Sequence, residues 1–133
     1  MIQIRSYRNE DYSAIKETLA SVQMFDPERE SQKNLENMIQ RDSESILVAT
    51  EHDHVVGSVY VKDVGWDARV FCLAVRNEYR KQGVGSLLLE KAEEILRERG
   101  HVKLSLFVRE SEVTHLGPYY EKRGYVAAPY KHQ

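Results

Sequence analysis

Hydrophobic and polar positions divide the chain into segments of two periods. Val70-Phe71-Cys72-Leu73-Ala74-Val75 is an unbroken apolar run of strand-forming residues, and it predicts a strand buried on both faces. The polar stretch from Arg76 to Gln82 follows and closes on Gly83-Val84-Gly85. Val84, Leu87, Leu88, Ala92, Ile95 and Leu96 then recur at helical spacing. Gly100, after Arg97 and Arg99, supplies a left-handed cap beside cations that suit the negative end of a helix. The central unit is therefore strand, glycine turn, helix.

The flanking segments follow the same logic. Ile2, Ile4 and Tyr7 alternate as a first strand, and Asn9 or Asp11 is positioned to cap a helix over 11–22 carrying Tyr12, Ile15, Leu19 and Val22. Phe25-Asp26-Pro27-Glu28 breaks that pattern before a charged, half-exposed second helix with Leu35, Met38 and Ile39. Ser45–Thr50 and Val55–Val61 read as a hairpin with a polar tip at Glu51-His52-Asp53-His54. Beyond the long helix, Val102–Val108 alternates as a strand, and Pro118 to Gly124 bound a helix of under two turns that leads to a last strand.

The glycine turn carries the first chemistry. A glycine-rich helix entry leaves its first N–H groups unpaired at the positive end of the helix dipole, which makes an anion site. Gly83 and Gly85 keep side chains away from that backbone, and Arg76, Arg80 and Lys81 add positive charge at the rim, so a diphosphate suits the turn. Other phosphate cradles are excluded: there is no G-x-x-x-x-G-K-[ST], and Leu88 stands where the third glycine of G-x-G-x-x-G would fall.

Leu73-Ala74-Val75 followed by Arg80-Lys81-Gln82-Gly83-Val84-Gly85 resembles the GNAT superfamily of N-acetyltransferases, whose signature is a strand ending L-A-V and then R/Q-x-x-G-x-G/A at a helix start. Tyr120-Glu121-Lys122-Arg123-Gly124-Tyr125 matches the family's Y-E-K-x-G-F/Y. The resemblance runs through the whole chain in element order. It implies an α/β (α+β) domain over 1–133, with a mixed, mostly antiparallel sheet of about six to seven strands flanked by about four helices. It also implies acetyl-coenzyme A as acetyl donor. Arg80, Lys81, Gln82, Gly83, Val84, Gly85 and Ser86 would hold its pyrophosphate, and Leu73, Ala74 and Val75 would offer backbone groups to the pantetheine arm.

Acetyl transfer to an amine needs a free amine, stabilisation of charge on the carbonyl oxygen, and a proton for the leaving sulfur. A backbone N–H between Leu73 and Val75 suits the second task. Tyr120 suits the third, since a phenol with an ordinary pKa near 10 keeps its proton at neutral pH and yields it to a thiolate. Tyr119 and Tyr125 are assigned to packing. The central strand lacks the glutamate many relatives place there, and the asparagine often found after the fifth strand is not evident in Arg109 to Thr114. Glu110 is the first candidate base, with Asp67 or Asp63 through water and His115 behind it, and solvent remains an alternative.

On the acceptor side, the resemblance makes Phe25, Asp26, Glu28 and Glu30 substrate-facing candidates. Trp66 between Asp63 and Asp67 adds a ring face and charge for a cation. These residues suggest a cationic small-molecule amine, with a peptide amino terminus or lysine side chain still open. Two alternatives to small-molecule acetylation stand: an acyl-coenzyme A-binding regulatory module without turnover, and acetylation of a protein amino group.

Totals change little. At 133 residues and 41% hydrophobic content the chain suits one domain, and 19 Lys and Arg against 21 Asp and Glu imply neither nucleic acid nor a membrane surface. No apolar run approaches the roughly 18 residues of a membrane span, and Met1-Ile2-Gln3-Ile4-Arg5 lacks a secretory pattern, so a cytoplasmic protein is expected. Cys72 reads as a small buried core residue. His52 and His54 lack a third ligand nearby, so no metal is expected. Exposed edge strands or the charged second helix offer surfaces for a homodimer.

Overall fold

A computed structural model describes residues 1–107 and 118–126. Strands β2 (Ile46–Glu51) and β3 (His54–Asp63) are buried along nearly their whole length, because helices cover both faces of the sheet they centre. On one face Leu47, Ala49, Val59 and Val61 pack under α3 (Val84–Glu98) through Val84, Leu88, Leu89, Ala92 and Leu96. On the other, Ile46, Val48, Val55 and Tyr60 pack against Ile15 and Leu19 of α1 (Tyr12–Ser21) and Leu35 of α2 (Gln32–Arg41). Neighbouring residues of one strand thus feed two separate cores.

The sheet runs β1 (Ile2–Ser6), β2, β3, β4 (Ala68–Val75), β5 (Ser105–Phe107), antiparallel except for the last pair. The parallel β4–β5 pairing requires a crossover, and α3 is its helix. A short helix, α4, follows at residues 118–122. The sheet has five strands among the described residues, against the six to seven implied by resemblance, and the expected last strand lies outside them. Of the strand expected over 102–108, residues 102–104 are not in strand, Ser105–Phe107 are, and Val108 lies outside the described residues. No helix among the described residues is long and apolar enough to cross a membrane.

β4 departs from the expected doubly buried strand. Tyr60 pairs with Phe71 and Ser58 with Ala74, so Cys72 and Leu73 together oppose Val59 alone. This is a β-bulge, with Cys72 at φ 56°. Phe71 and Cys72 consequently both face the α1 side, while Leu73 and Val75 face α3. Cys72 is half-buried rather than a core residue.

Asp11 caps the turn before α1 differently from a simple helix cap: its carboxylate accepts the Arg8 N–H at 2.8 Å and both arms of Arg5 at 2.7 and 2.9 Å. At the far end of α3, Arg99 donates to Asp42 at 2.8 and 3.0 Å, to Glu44 at 2.8 Å and to Asp63 at 3.1 Å. That one guanidinium ties the helix end to the starts and ends of the central strands.

These contacts set the acid limb of stability. Burial alone would raise Asp11, but hydrogen bonds from Arg5 and Arg8 hold it below the usual carboxylate range. The Arg99 hydrogen bonds lower Asp42, and the Gly65 N–H leads in lowering Asp63. Depressed folded-state values stabilise the protein above the unfolded value of about 3.9 and lose that contribution as pH falls through them. We expect the melting temperature to drop below about pH 4. Arg99→Ala should cost about 1–3 kcal/mol at neutral pH and flatten that drop, measured by denaturant unfolding across pH. Packing gives a second test: a Cβ on Gly57 would lie 3.0 Å from the Ala74 carbonyl oxygen and 3.2 Å from both Leu88 Cδ1 and Val84 Cγ1. Gly57→Ala should therefore destabilise by about 1–3 kcal/mol, because strand and helix backbones cannot both retreat.

Candidate active site

The bulge opens a cavity. Among the described residues β5 pairs with β4 at Arg69, Val70 and Phe71, and Cys72 to Val75 lead on to the glycine turn. A cavity of about 650 Å³ lies along this stretch, in the size range of small-molecule sites. Its walls come from the β4 bulge, the glycine turn, α4 and the connection between α1 and α2.

At the glycine turn, Asn77–Gln82 form a 3₁₀ turn that delivers Gly83 in the left-handed region at φ 78°. Gly83 is the N-cap of α3 and provides no side-chain cap. The first bond into the helix runs from the Leu87 N–H to the Gly83 carbonyl at 3.1 Å. The N–H groups of Val84, Gly85 and Ser86 thus have no acceptor within the helix. Arg80 and Lys81 join Gly83, Gly85 and Ser86 in lining the cavity. A Cβ on Gly85 would make only ordinary contacts, 3.7 Å from Leu73 and 3.8 Å from Val75. Here glycine keeps space on the cavity side rather than relieving a protein clash. Convergent N–H groups, two cations and an open backbone fit a diphosphate.

On the facing wall, Tyr120 is 7% exposed and packs edge to face with Tyr119 and Tyr125, ring centroids 5.2 and 6.3 Å apart. Tyr119 shares a hydrogen bond with the Ser86 hydroxyl, which ties α4 to the first turn of α3. Tyr125 donates to Glu93, which also receives Arg123 at 3.0 Å. Burial and then the Glu93 bond raise the Tyr125 pKa above the ordinary phenol value.

The remaining wall is Val22, Met24 and Arg29 from the α1–α2 connection, with Phe71 and Cys72 of β4. Behind it lies Glu30, 1% exposed, which accepts the Tyr60 hydroxyl and, at 2.8 Å, the Asp26 N–H. Tyr60 is held protonated by its burial and then by that bond, both of which raise its pKa. Tyr60 in turn packs edge to face on Phe71, centroids 5.3 Å apart.

A family model described as Acetyltransferase (GNAT) family matches residues 3–125. The chain belongs to the GNAT acetyltransferase family. Solved structures agree on the fold. Ard1 from Thermoplasma volcanium superposes with a TM-score of 0.82 at 23% identity, over 96% of this chain and 84% of that one. The PaiA N-acetyltransferase from Thermoplasma acidophilum, in complex with coenzyme A, gives 0.79 at 22% identity, covering 92% and 88%. The ribosomal-protein-S18-alanine N-acetyltransferase from Escherichia coli gives 0.77 at 26% identity, covering 97% and 80%.

Within this GNAT chain, the cavity gathers Leu73, Ala74, Val75, Arg80, Lys81, Gly83, Gly85, Ser86 and Tyr120. Gln82 and Val84 are not in its wall: the Gln82 amide bonds back to Glu78, and the Val84 side chain is in the core. The expected acceptor residues are elsewhere. Asp26 spends its carboxylate on the N–H groups of Glu28 and Arg29 at 3.0 and 3.2 Å, and Phe25 lies under Lys16. Trp66 is 86% exposed and Asp67 pairs with Arg69 at 2.8 Å, both at the start of β4. The glycine turn follows its other end, about 25 Å away along an eight-residue strand. Asp63 is likewise engaged there by Arg99 and His101. Glu110 and His115 lie outside the described residues. Among the described residues no group of three or more His, Cys, Asp or Glu is placed to hold a metal.

Sequence reasoning left out Arg29, Met24 and Phe107 and treated Tyr119 only as packing. For Tyr119 the adjacent Tyr120 was a signal. For Arg29 there was none, because its outward placement depends on which neighbouring carboxylates the turn consumes.

The two glycines should separate by substitution. Gly83→Ala, forced to a positive φ, should cost about 1–2 kcal/mol by denaturant unfolding. Gly85→Ala should fold with little loss, whereas Gly85→Glu should fold and lose binding of a diphosphate ligand at least 100-fold.

Proposed function

We propose that the chain acts, as a single domain over 1–133, as an acetyl-coenzyme A-dependent N-acetyltransferase that moves acetyl from the thioester to a primary amine by direct attack. The observation that supports this best is the continuity of one cavity from an uncapped helix N-terminus to a bulged strand and a buried tyrosine. When bound, the coenzyme supplies an acetyl thioester, whose carbon accepts an amine.

The chain's own groups divide the work. The N–H groups of Val84, Gly85 and Ser86, with Arg80 and Lys81, hold the diphosphate. Leu73, Ala74 and Val75 offer strand-type hydrogen bonds to the pantetheine arm, and an N–H of this stretch stabilises charge on the carbonyl oxygen. The Tyr120 hydroxyl keeps a proton at neutral pH and gives it to the departing sulfur. Glu110, three residues beyond β5 in sequence, is our first candidate to take the amine proton. The acceptor is a small-molecule or peptide amine, approaching from the Val22, Met24 and Arg29 side.

Calorimetric titration with acetyl-coenzyme A should give saturable one-site binding, and Gly85→Glu should abolish it. Tyr120→Phe, which keeps the ring packing, should bind the coenzyme as the native protein does while kcat falls about 100-fold or more. A folded native protein that does not bind acetyl-coenzyme A would reject the proposal. Unchanged kcat in Tyr120→Phe would remove that residue from the acid role.

A further inference from the structure

We infer that Arg29 selects the acceptor, and that the acceptor is a small amine that also carries a carboxylate, an amino acid or a close derivative. The inference rests on the acetyltransferase reading above and narrows its acceptor.

Its basis is how the turn before α2 uses its charges. The backbone around Arg29 is fixed on all sides. Its N–H and that of Glu28 donate to the Asp26 carboxylate, while the Glu28 and Arg29 carbonyls accept the Asn34 amide at 2.9 and 3.2 Å. Glu30 closes the turn with its N–H on the Asp26 carbonyl at 2.7 Å, and the Tyr12 hydroxyl holds the Glu30 carbonyl at 2.8 Å. These bonds set where the Arg29 backbone stands relative to the cavity.

Two of the three acids in this turn, Asp26 and Glu30, are consumed, while Glu28 is exposed. Asp26 caps two N–H groups, and the Glu30 carboxylate is divided between the Asp26 N–H and Tyr60. The Arg29 guanidinium lies 3.9 Å from Glu30, close enough to feel its charge but beyond hydrogen-bond reach. Its side chain is 58% exposed, and it lines the cavity. Its planar fork of donors is therefore available to a ligand, in the geometry that suits a carboxylate.

Position separates this arginine from the diphosphate cations. Arg80 and Lys81 belong to the turn that starts α3, whereas Arg29 stands with Val22, Met24, Phe71 and Cys72 on the α1 side of β4. Among the described residues lining the cavity, the charged side chains are Arg29, Arg80 and Lys81, all cationic. A polyamine entering past Arg29 would meet like charge. An amino acid would set its carboxylate on the guanidinium and its hydrocarbon on Val22 and Met24, leaving the amine for the thioester. This reverses the cationic acceptor expected from the acidic residues of the sequence.

The test is thiol release from acetyl-coenzyme A with amino acids, their carboxamides and polyamines as acceptors, alongside calorimetry of the donor. The native protein should prefer the free acids to their carboxamides. Arg29→Ala should raise KM for the acids about 10- to 100-fold, change kcat little, and leave acetyl-coenzyme A binding unaltered. Arg29→Lys should recover part of the preference, and Arg29→Glu should shift it toward polyamines.

Equal or better use of carboxamides or polyamines by the native protein, or no acetylation of the acids, overturns the assignment. So does a preference that survives Arg29→Ala. Weakened acetyl-coenzyme A binding in Arg29→Ala also overturns it by moving Arg29 to the donor site. A native protein that binds no acetyl-coenzyme A fails earlier and rejects the acetyltransferase reading itself.

Discussion

Two residues of β4, Cys72 and Leu73, stand opposite one residue of β3, and the rest of the site depends on that mismatch. A regular strand would alternate faces and keep pairing. The bulge instead puts Phe71 and Cys72 on the same side and re-aims the strand beyond them along the cavity. Leu73, Ala74 and Val75 line that cavity, and an extended ligand can lie along a strand placed this way. The same β4 end feeds directly into the 3₁₀ turn and α3. Gly57 lets β3 approach Ala74, Val84 and Leu88 closely enough to hold all three elements in register. Opening the strand and aiming the helix N-terminus are thus one local arrangement.

Much of this frame was legible from periodicity. Val84, Leu88, Ala92, Ile95 and Leu96 give the helix its buried face, and Gly83 and Gly100 mark its ends because both adopt positive φ. The bulge was not legible. In an unbroken run such as Val70–Val75 every position is apolar, so no alternation records which residues share a face. The run reads as buried on both sides, yet Phe71, Cys72 and Leu73 are half-buried, because they line the cavity at the bulge.

The charges around the cavity were not legible for a different reason. Composition counts charges but not which of them the backbone consumes. Asp26, Glu30 and Asp67 resembled free acids in sequence; in the structure they hold a turn, a buried tyrosine and an arginine respectively. A carboxylate buried as deeply as Glu30 persists only when its oxygens are satisfied. Its partners, Tyr60 and the Asp26 N–H, join the α1–α2 connection to β3.

That join has a mechanical consequence for the site. Tyr60 contacts Glu30 through its hydroxyl and Phe71 through its ring, so one side chain touches both the turn that carries Arg29 and the residue just before the bulge. Displacing Glu30 would strand a buried phenol and loosen the support of Phe71 at the same time. The α1–α2 wall of the cavity and the bulged strand are therefore braced against a common residue. On the proposed reading, an amino acid whose carboxylate sits on Arg29 is positioned relative to the bulge by packed, hydrogen-bonded groups, which is the condition for attack within one cavity without a carrier residue.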